Sequence, residues 1–345
     1  MVPENKIKKT SEEIKSSILM SLKDGPKSVT EISESINSNW ITVEEYLKKL
    51  KEDGEVIEIV SSPKMKVYRR TDDLAFYGIP FSKKIRNDTF DLLCLIAKMW
   101  KKQNNGISPS RTILQKVAVE FIEQSPEITN IPVLKFHYGQ TLALRYEEKL
   151  INECDELKLT SEQEKKLFKL IEEYKNWSSG KAQSEQYKKQ GMEFYRTKED
   201  LLSTFSKNKP EEIIKKILEL SVFYPSELEE TYNLFDKFEY CAINVLNIEK
   251  KEREDYVKKI KEIFPLIWDI ITTSYFFYEA KDFIEENKKE LFNYLRLNTI
   301  NSKLSNVIPL IEDLKSEIDT IPQKEISTKS SEKSKDLLNK LLNGL

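Results

Sequence analysis

The chain of 345 residues contains one histidine, eight glycines and three cysteines. Each scarcity removes a class of chemistry. A single imidazole, His137, excludes two-histidine metal sites and leaves a Ser-His-Asp triad or a His-x-Glu deaminase pattern with only one anchoring group. His137 reads as a surface or hydrogen-bonded residue rather than a ligand. So few glycines provide poorly for backbone approach to a nucleotide, and no G-x-G-x-x-G occurs. Gly180-Lys181 lacks the glycine a Walker loop needs five residues earlier, because Lys175 stands there. Cys94, Cys154 and Cys241 are odd in number, far apart and without a C-x-x-C pair, which argues against a disulfide framework or a zinc knuckle. They read as small buried hydrophobes.

Long apolar runs are also missing. A membrane span needs about 20 consecutive apolar residues, and the best stretch, 263–278, is broken by Pro265 and Asp269. The first ten residues are polar and carry lysines, with no apolar core of a signal peptide. A cytoplasmic protein with no membrane partner is expected. No cofactor, metal site or catalytic residue is assigned: the 58 acidic side chains offer many carboxylate pairs, but these read as solvated helix faces. An enzyme working through carboxylates alone stays open as a third reading.

The sequence does have apolar residues in periodic array. With 39% hydrophobic residues it can bury a core, and its length suits two or three domains. Repeats at helical spacing, scarce glycine and no alternating strands beyond the N-terminal region predict a mainly α protein.

Residues 10–72 carry the most informative pattern. Thr10 with Glu13, and Ser28 with Glu31, are capping-box pairs. They open helices whose apolar stripes are Ile14, Ile18, Leu19 and Leu22, then Val29, Ile32 and Ile36. Gly25-Pro26 ends the first helix, and Asn37-Ser38-Asn39 makes the next turn. A third helix buries Val43, Leu47 and Leu50 and stops at Gly54. Residues 55–60 and 65–68 are expected as strands joined through Ser61-Ser62-Pro63-Lys64. The order helix, helix, helix, hairpin, with the pattern Thr-Val-x-x-Tyr-Leu-x-x-Leu-x-x-x-Gly-x-Val from Thr42 to Val56, resembles the winged helix-turn-helix DNA-binding domains of archaeal and bacterial transcription regulators. That resemblance covers about a fifth of the chain and implies double-stranded DNA as partner, with the third helix as recognition helix.

On that reading the candidate DNA-binding residues are Ser38, Asn39 and Trp40 at the helix entrance. Thr42, Glu45, Lys48 and Lys49 lie on its outward face, and Lys64, Lys66, Arg69 and Arg70 on the wing. Asn39 either reads adenine or caps the helix, and Thr42 with Glu45 offers a second capping box. Charge is a constraint, since the chain carries 56 basic against 58 acidic residues and residues 1–72 balance the two signs one for one. Only 61–70 is basic without an acid, which suits a wing on phosphates. Glu44 and Glu45 oppose phosphate unless they accept from a cytosine amine. Lysines 83, 84, 98, 101 and 102, with Arg86, either extend the basic surface or form a solvated face.

Beyond the wing, 73–84 is expected as a linker and 85–157 as a helical subdomain. Its helices should span 84–103, 108–123 and 134–151, the last faintly repeating the recognition-helix cadence of a second, divergent helix-turn-helix. Residues 158–321 are expected as an α-helical bundle, with Ser226 and Glu229 capping one helix. Adjacent Tyr275, Phe276, Phe277 and Tyr278 cannot all face one core, so they suggest either an interface, as in a homodimer, or burial among helices of one subunit. Residues 322–345 read as a flexible tail ending in a short stripe from Leu337 to Leu345, a docking helix for a protein partner or a frayed end. Two functions follow: sequence-dependent DNA binding for transcription regulation, with the C-terminal region oligomerising or holding a partner; or a protein-protein adaptor.

Overall fold

The computed structural model describes residues 10–61, 65–146, 157–207, 209–245, 248 and 250–321. Lys64 and the wing turn, Cys154 and the tail with its leucine stripe lie outside the described residues. The chain forms two compact units. One is drawn from Met1–Leu134, Gln140–Ser179 and Ala280–Thr299, the other from Lys135–Gly139, Gly180–Glu279 and Ile300–Leu345.

The first unit opens with α1 (Ser11–Ser21), started by the Thr10 capping box: Glu13 N donates to Thr10 Oγ1 at 3.2 Å and Thr10 N to Glu13 Oε2 at 2.7 Å. β1 (Lys27–Ser28) leads into α2 (Val29–Ser35), which begins with the reciprocal box of Ser28 and Glu31. α3 (Trp40–Glu52) follows a turn in which Asn37 takes a φ of 50°. Gly54, at φ 74°, takes the left-handed conformation that lets the chain turn back after α3. β2 (Val56–Ser61) and β3 (Lys66–Arg70) are antiparallel with an irregularity between Glu58 and Val60, and β1 adds to the other edge of β3, giving the order β1-β3-β2. Ile18, Leu22, Val29, Ile32, Val43, Leu47, Leu50, Val56 and Tyr68 close into one buried cluster. The expected winged helix is therefore present, and the chain is mainly α-helical. The two-residue strand β1 is additional: only two backbone positions pair, too few to leave a periodic signal.

The stretch 73–84, read as a linker, is packed: Ala75, Ile79 and Phe81 are buried, and Ala75 bridges to Leu144. α4 (Lys83–Gln103) and α5 (Arg111–Glu123) then start at serine caps, Ser82 and Ser110. α6 (Ser161–Tyr174) begins with a Thr160–Gln163 capping box, and buried Tyr174 donates to Glu120 Oε2 at 2.6 Å. The helix expected over 134–151 is not what forms in its described part. β4 (Val133–Phe136) and β5 (Gly139–Leu142) make a two-stranded sheet there. Two short runs containing valine, phenylalanine and threonine flank a tight turn closed by Gly139 at φ 79°, and this local turn chemistry outweighs a weak helical cadence.

The second unit is helical: α7 (Ser179–Lys189), α8 (Glu193–Lys207), α9 (Pro210–Val222), α10 (Glu229–Val245), α11 (Lys250–Ala280) and the later part of α12 (Lys289–Thr320). Its core gathers Phe235, Phe238, Phe264, Ile267, Ile271 and Ile311. Ser226 does not cap α10: a short 3₁₀ turn, Ser226–Leu228, precedes the helix without a side-chain cap, because Pro225 takes the capping position. The lone histidine sits here. His137 Nδ1 is 2.8 Å from Thr272 Oγ1 and Nε2 is 3.2 Å from Asp269 Oδ1, while Trp268 Nε1 donates to the His137 carbonyl at 3.2 Å. Of the two readings the sequence offered, surface or hydrogen-bonded, the second is the one these contacts match.

Burial lowers the His137 imidazole from its usual range to about 4, against the pull of Asp269 and helped by Lys303 and Lys198. The unfolded chain takes up a proton near pH 6.5 that the folded chain refuses until about pH 4, so this residue makes stability fall as pH is lowered through that window. Urea denaturation between pH 7 and 4.5 should show a shallower loss in His137→Gln than in the native chain. Equal slopes would mean that the histidine titrates alike in both states.

Candidate nucleic-acid interface

α3 is built to show one face. A helix turns 100° per residue, so placing Val43, Leu47 and Leu50 inward leaves Ile41, Glu45, Lys48 and Glu52 in a line on the opposite side. The burial agrees: the three apolar residues are fully buried, and all four on the opposite line are exposed. Thr42 and Lys49 flank that line on one side, Trp40 and Glu44 on the other.

Asn39 is the cap. Its side chain accepts from Ile41 N at 2.8 Å, satisfying one of the amides that a helix start leaves without an intrahelical partner. Thr42 lies inside the helix, so the alternative box of Thr42 and Glu45 does not form. Ser38 N bonds to the Ser33 carbonyl at 3.0 Å and closes the turn between α2 and α3. Trp40 and Ile41 are 43% and 61% exposed at the amino end of α3. Ile41 escaped the sequence-based choice of site residues, although the same wheel that turned Glu45 and Lys48 outward also turns residue 41.

The charged candidates divide into two groups. Lys48 and Lys49 are exposed, with Lys49 Nζ 4.9 Å from the centroid of the Tyr46 ring. Lys66, on β3, is paired with Glu44, so the wing strand neutralises one of the three acids on α3 and leaves Glu45 and Glu52 on the outward line. The hydrogen bond and charge of Glu44 raise the Lys66 ammonium above its usual range. Arg70 grips Asp72, through Nε at 2.8 Å and Nη2 at 2.5 Å. Arg69 is half-buried, and its Nε and Nη1 have no hydrogen-bond partner. The structure thus brings Asn39, Trp40, Thr42, Glu45, Lys48 and Lys49 together on α3, sets Lys66 beside them through Glu44, and turns Arg69 and Arg70 toward other groups of the first unit.

Three helices, a tight turn into the third and a hairpin behind it define a winged helix-turn-helix. The family model described as "Bacterial regulatory protein, arsR family" matches residues 12–57, from α1 through α3 into the first residues of β2. The N-terminal module is accordingly similar to the DNA-binding domain of this class of transcription regulators. No curated protein and no solved structure matches the chain. Among the described residues no helix is long and apolar enough to cross a membrane, and no group of three or more His, Cys, Asp or Glu side chains is arranged to hold a metal ion.

The cap gives a local test. Asn39→Ala should destabilise the start of α3 by about 1 kcal/mol and speed hydrogen exchange at the Ile41 amide, while Asn39→Asp should restore protection. Unchanged exchange in Asn39→Ala would show that the amide is held by other means.

Proposed function

We propose that this protein binds double-stranded DNA in a sequence-dependent manner through α3 and the wing and regulates transcription, with the longer remainder of the chain serving oligomerisation or a partner. One observation carries the reading most: α3 holds an exposed line of Ile41, Glu45 and Lys48 on a helix whose opposite face is locked into the core. A helix so fixed can lie in a major groove and present base-reading groups at defined positions. Lys48 and Lys49 serve as phosphate contacts, supplemented by Lys66 and Lys64 on the wing. Thr42 and Asn39 meet base edges, Glu45 accepts from a cytosine amine, and Ile41 with Trp40 meets thymine methyls. Arg70 is held by Asp72 and Arg69 is half-buried, so the phosphate contacts rest first on Lys48 and Lys49, Lys66 being shared with Glu44.

A second reading also has support. The module is charge-balanced, and Trp40 and Ile41 are large apolar residues exposed side by side, features that suit a protein-protein adaptor. Salt separates the two, because neutralising phosphates releases counterions whereas an apolar interface does not.

Fluorescence anisotropy of the full chain with labelled duplexes at rising salt tests both. Affinity should fall steeply with salt. Changing Lys48 and Lys49 to alanine should weaken binding to all sequences and reduce the log–log salt slope by about 0.9 for each phosphate left without its lysine. Asn39 and Thr42 variants should instead change sequence preference. Replacing thymine by deoxyuridine in the preferred duplex should weaken the native protein but not Ile41→Ala. Absence of binding at low salt would shift the assignment to the adaptor.

A further inference from the structure

α2 is the shortest helix of the N-terminal module and the one that delivers α3. It has seven residues, two turns that would not persist alone. Val29, Ile32 and Ile36 tie it to the core cluster, and the box of Ser28 and Glu31 holds its start. Only Ile36, Asn37, Ser38 and Asn39 separate it from α3, and Ser38 N donates to the Ser33 carbonyl of α2 at 3.0 Å. A change in the tilt of α2 is therefore carried to the amino end of α3, where Trp40, Ile41 and Thr42 stand.

Glu31 has two partners there. Its Oε2 accepts from Ser28 N at 2.8 Å and from Ser28 Oγ at 3.0 Å, while Oε1 accepts from Lys288 Nζ. That lysine stands 257 positions along the chain, at the end of a 3₁₀ turn, Glu286–Lys288, and directly before α12. Its segment nevertheless belongs to the first unit, in which Ala280–Thr299 is grouped with the winged helix. Ile284, Leu291 and Leu295 are buried on either side of it, so its backbone is anchored. Burial pushes the Glu31 carboxyl up, but the bonds from Lys288 and Ser28 outweigh it and hold the group below its usual range. Glu44 on α3 is met from within the module by Lys66, whereas Glu31 is met from outside it.

On the DNA-binding reading of α3, on which this role rests, we propose that Lys288 is a positioning residue: by holding Glu31 it fixes the tilt of α2 and, through the short turn, the entry of α3 into the groove. In a helix-turn-helix the helix ahead of the reader crosses the DNA backbone while the reader enters the groove. The angle at which α2 is held thus decides which side chains of α3 reach the base edges. A direct phosphate contact is the competing role for Lys288. Against it, the lysine is only 19% exposed and its charge is already met by a carboxylate, whereas Lys48 and Lys49 stand exposed.

The test uses the full chain and labelled duplexes in fluorescence anisotropy across a salt series, well below the melting temperature. Lys288→Ala and Glu31→Gln should each weaken the preferred duplex about threefold, the scale a partly exposed pair allows, with the log–log salt slope unchanged. The double variant should be no weaker than either single one, and Lys288→Arg should bind as the native protein does. Glutamine also serves in a capping box, so the amide at position 31 should keep its native hydrogen-exchange protection in Glu31→Gln. Single variants that bind like the native chain would overturn the role. So would a lower salt slope in Lys288→Ala together with tighter binding in Glu31→Gln, the pattern of a phosphate contact released from its acid. If the native chain binds no duplex, the DNA-binding reading falls and this role with it; binding that needs Lys48 and Lys49 but ignores Lys288 removes the role alone.

Discussion

Everything the N-terminal module presents to solvent depends on how α3 is rotated about its own axis, and burial of Val43, Leu47 and Leu50 sets that rotation. Each such side chain is stabilised by roughly 1.5–3 kcal/mol relative to exposure, and all three pack into one cluster with Ile18, Leu22 and Ile32. A turn of one residue about the axis would carry lysines inward and leucines outward, a change worth several times the energy of any single surface contact. The outward line of Ile41, Glu45, Lys48 and Glu52 is thus a consequence of the core. Asn39 fixes where that line begins, because the cap ends the preceding turn and aligns the first free amides.

Ion pairing decides which cations remain available on this frame. Exposed pairs contribute little to stability, yet each one occupies a lysine or arginine. Lys15 is taken by Asp53, Lys51 by Glu58, Lys66 by Glu44 and Arg70 by Asp72. Glu58 shows how far the pairing goes: burial pushes its carboxyl up, but the bonds from Lys51 and Ser61 outweigh it and hold the group below its usual range. In a charge-balanced module, any attraction for a polyanion must therefore be local. On α3 the exposed lysines are Lys48 and Lys49, and pairing with Lys66 offsets Glu44, one of the helix's three carboxylates.

The elements legible in the sequence were those with strong local chemistry. Both capping boxes form as the residues Thr10, Glu13, Ser28 and Glu31 require, and Gly54 ends the excursion of α3 because its conformation favours a residue without a Cβ. The hairpin of β4 and β5 was not legible, since four-residue strands carry two alternations at most and overlap a helical cadence. Pairing between distant residues was equally hidden. Nothing in the periodicity of α3 tells that Glu44 meets Lys66 across 22 positions, nor that Arg69, next to the last residue of β3, has Asp73, Arg145 and Arg86 as charged neighbours. Exposure of Ile41 was legible from the wheel alone, since residue 41 lies on the same line as Glu45 and Lys48.

The aromatic run on α11 bears on what the remainder of the chain can do. Four successive residues sweep 300° around a helix, so a helix at the edge of a bundle would leave at least one or two of them outside. Tyr275, Phe276 and Phe277 are buried and Tyr278 is exposed, so three of the four directions are covered. A single chain achieves the burial of those three residues. Exposed apolar side chains occur elsewhere as well, and α12 carries three, Leu297, Ile308 and Leu310. At 100° per residue Ile308 and Leu310 stand on either side of the strip of Val307, Ile311 and Leu314 that is committed to the core, so these exposed side chains flank the buried face and do not make a separate face of their own.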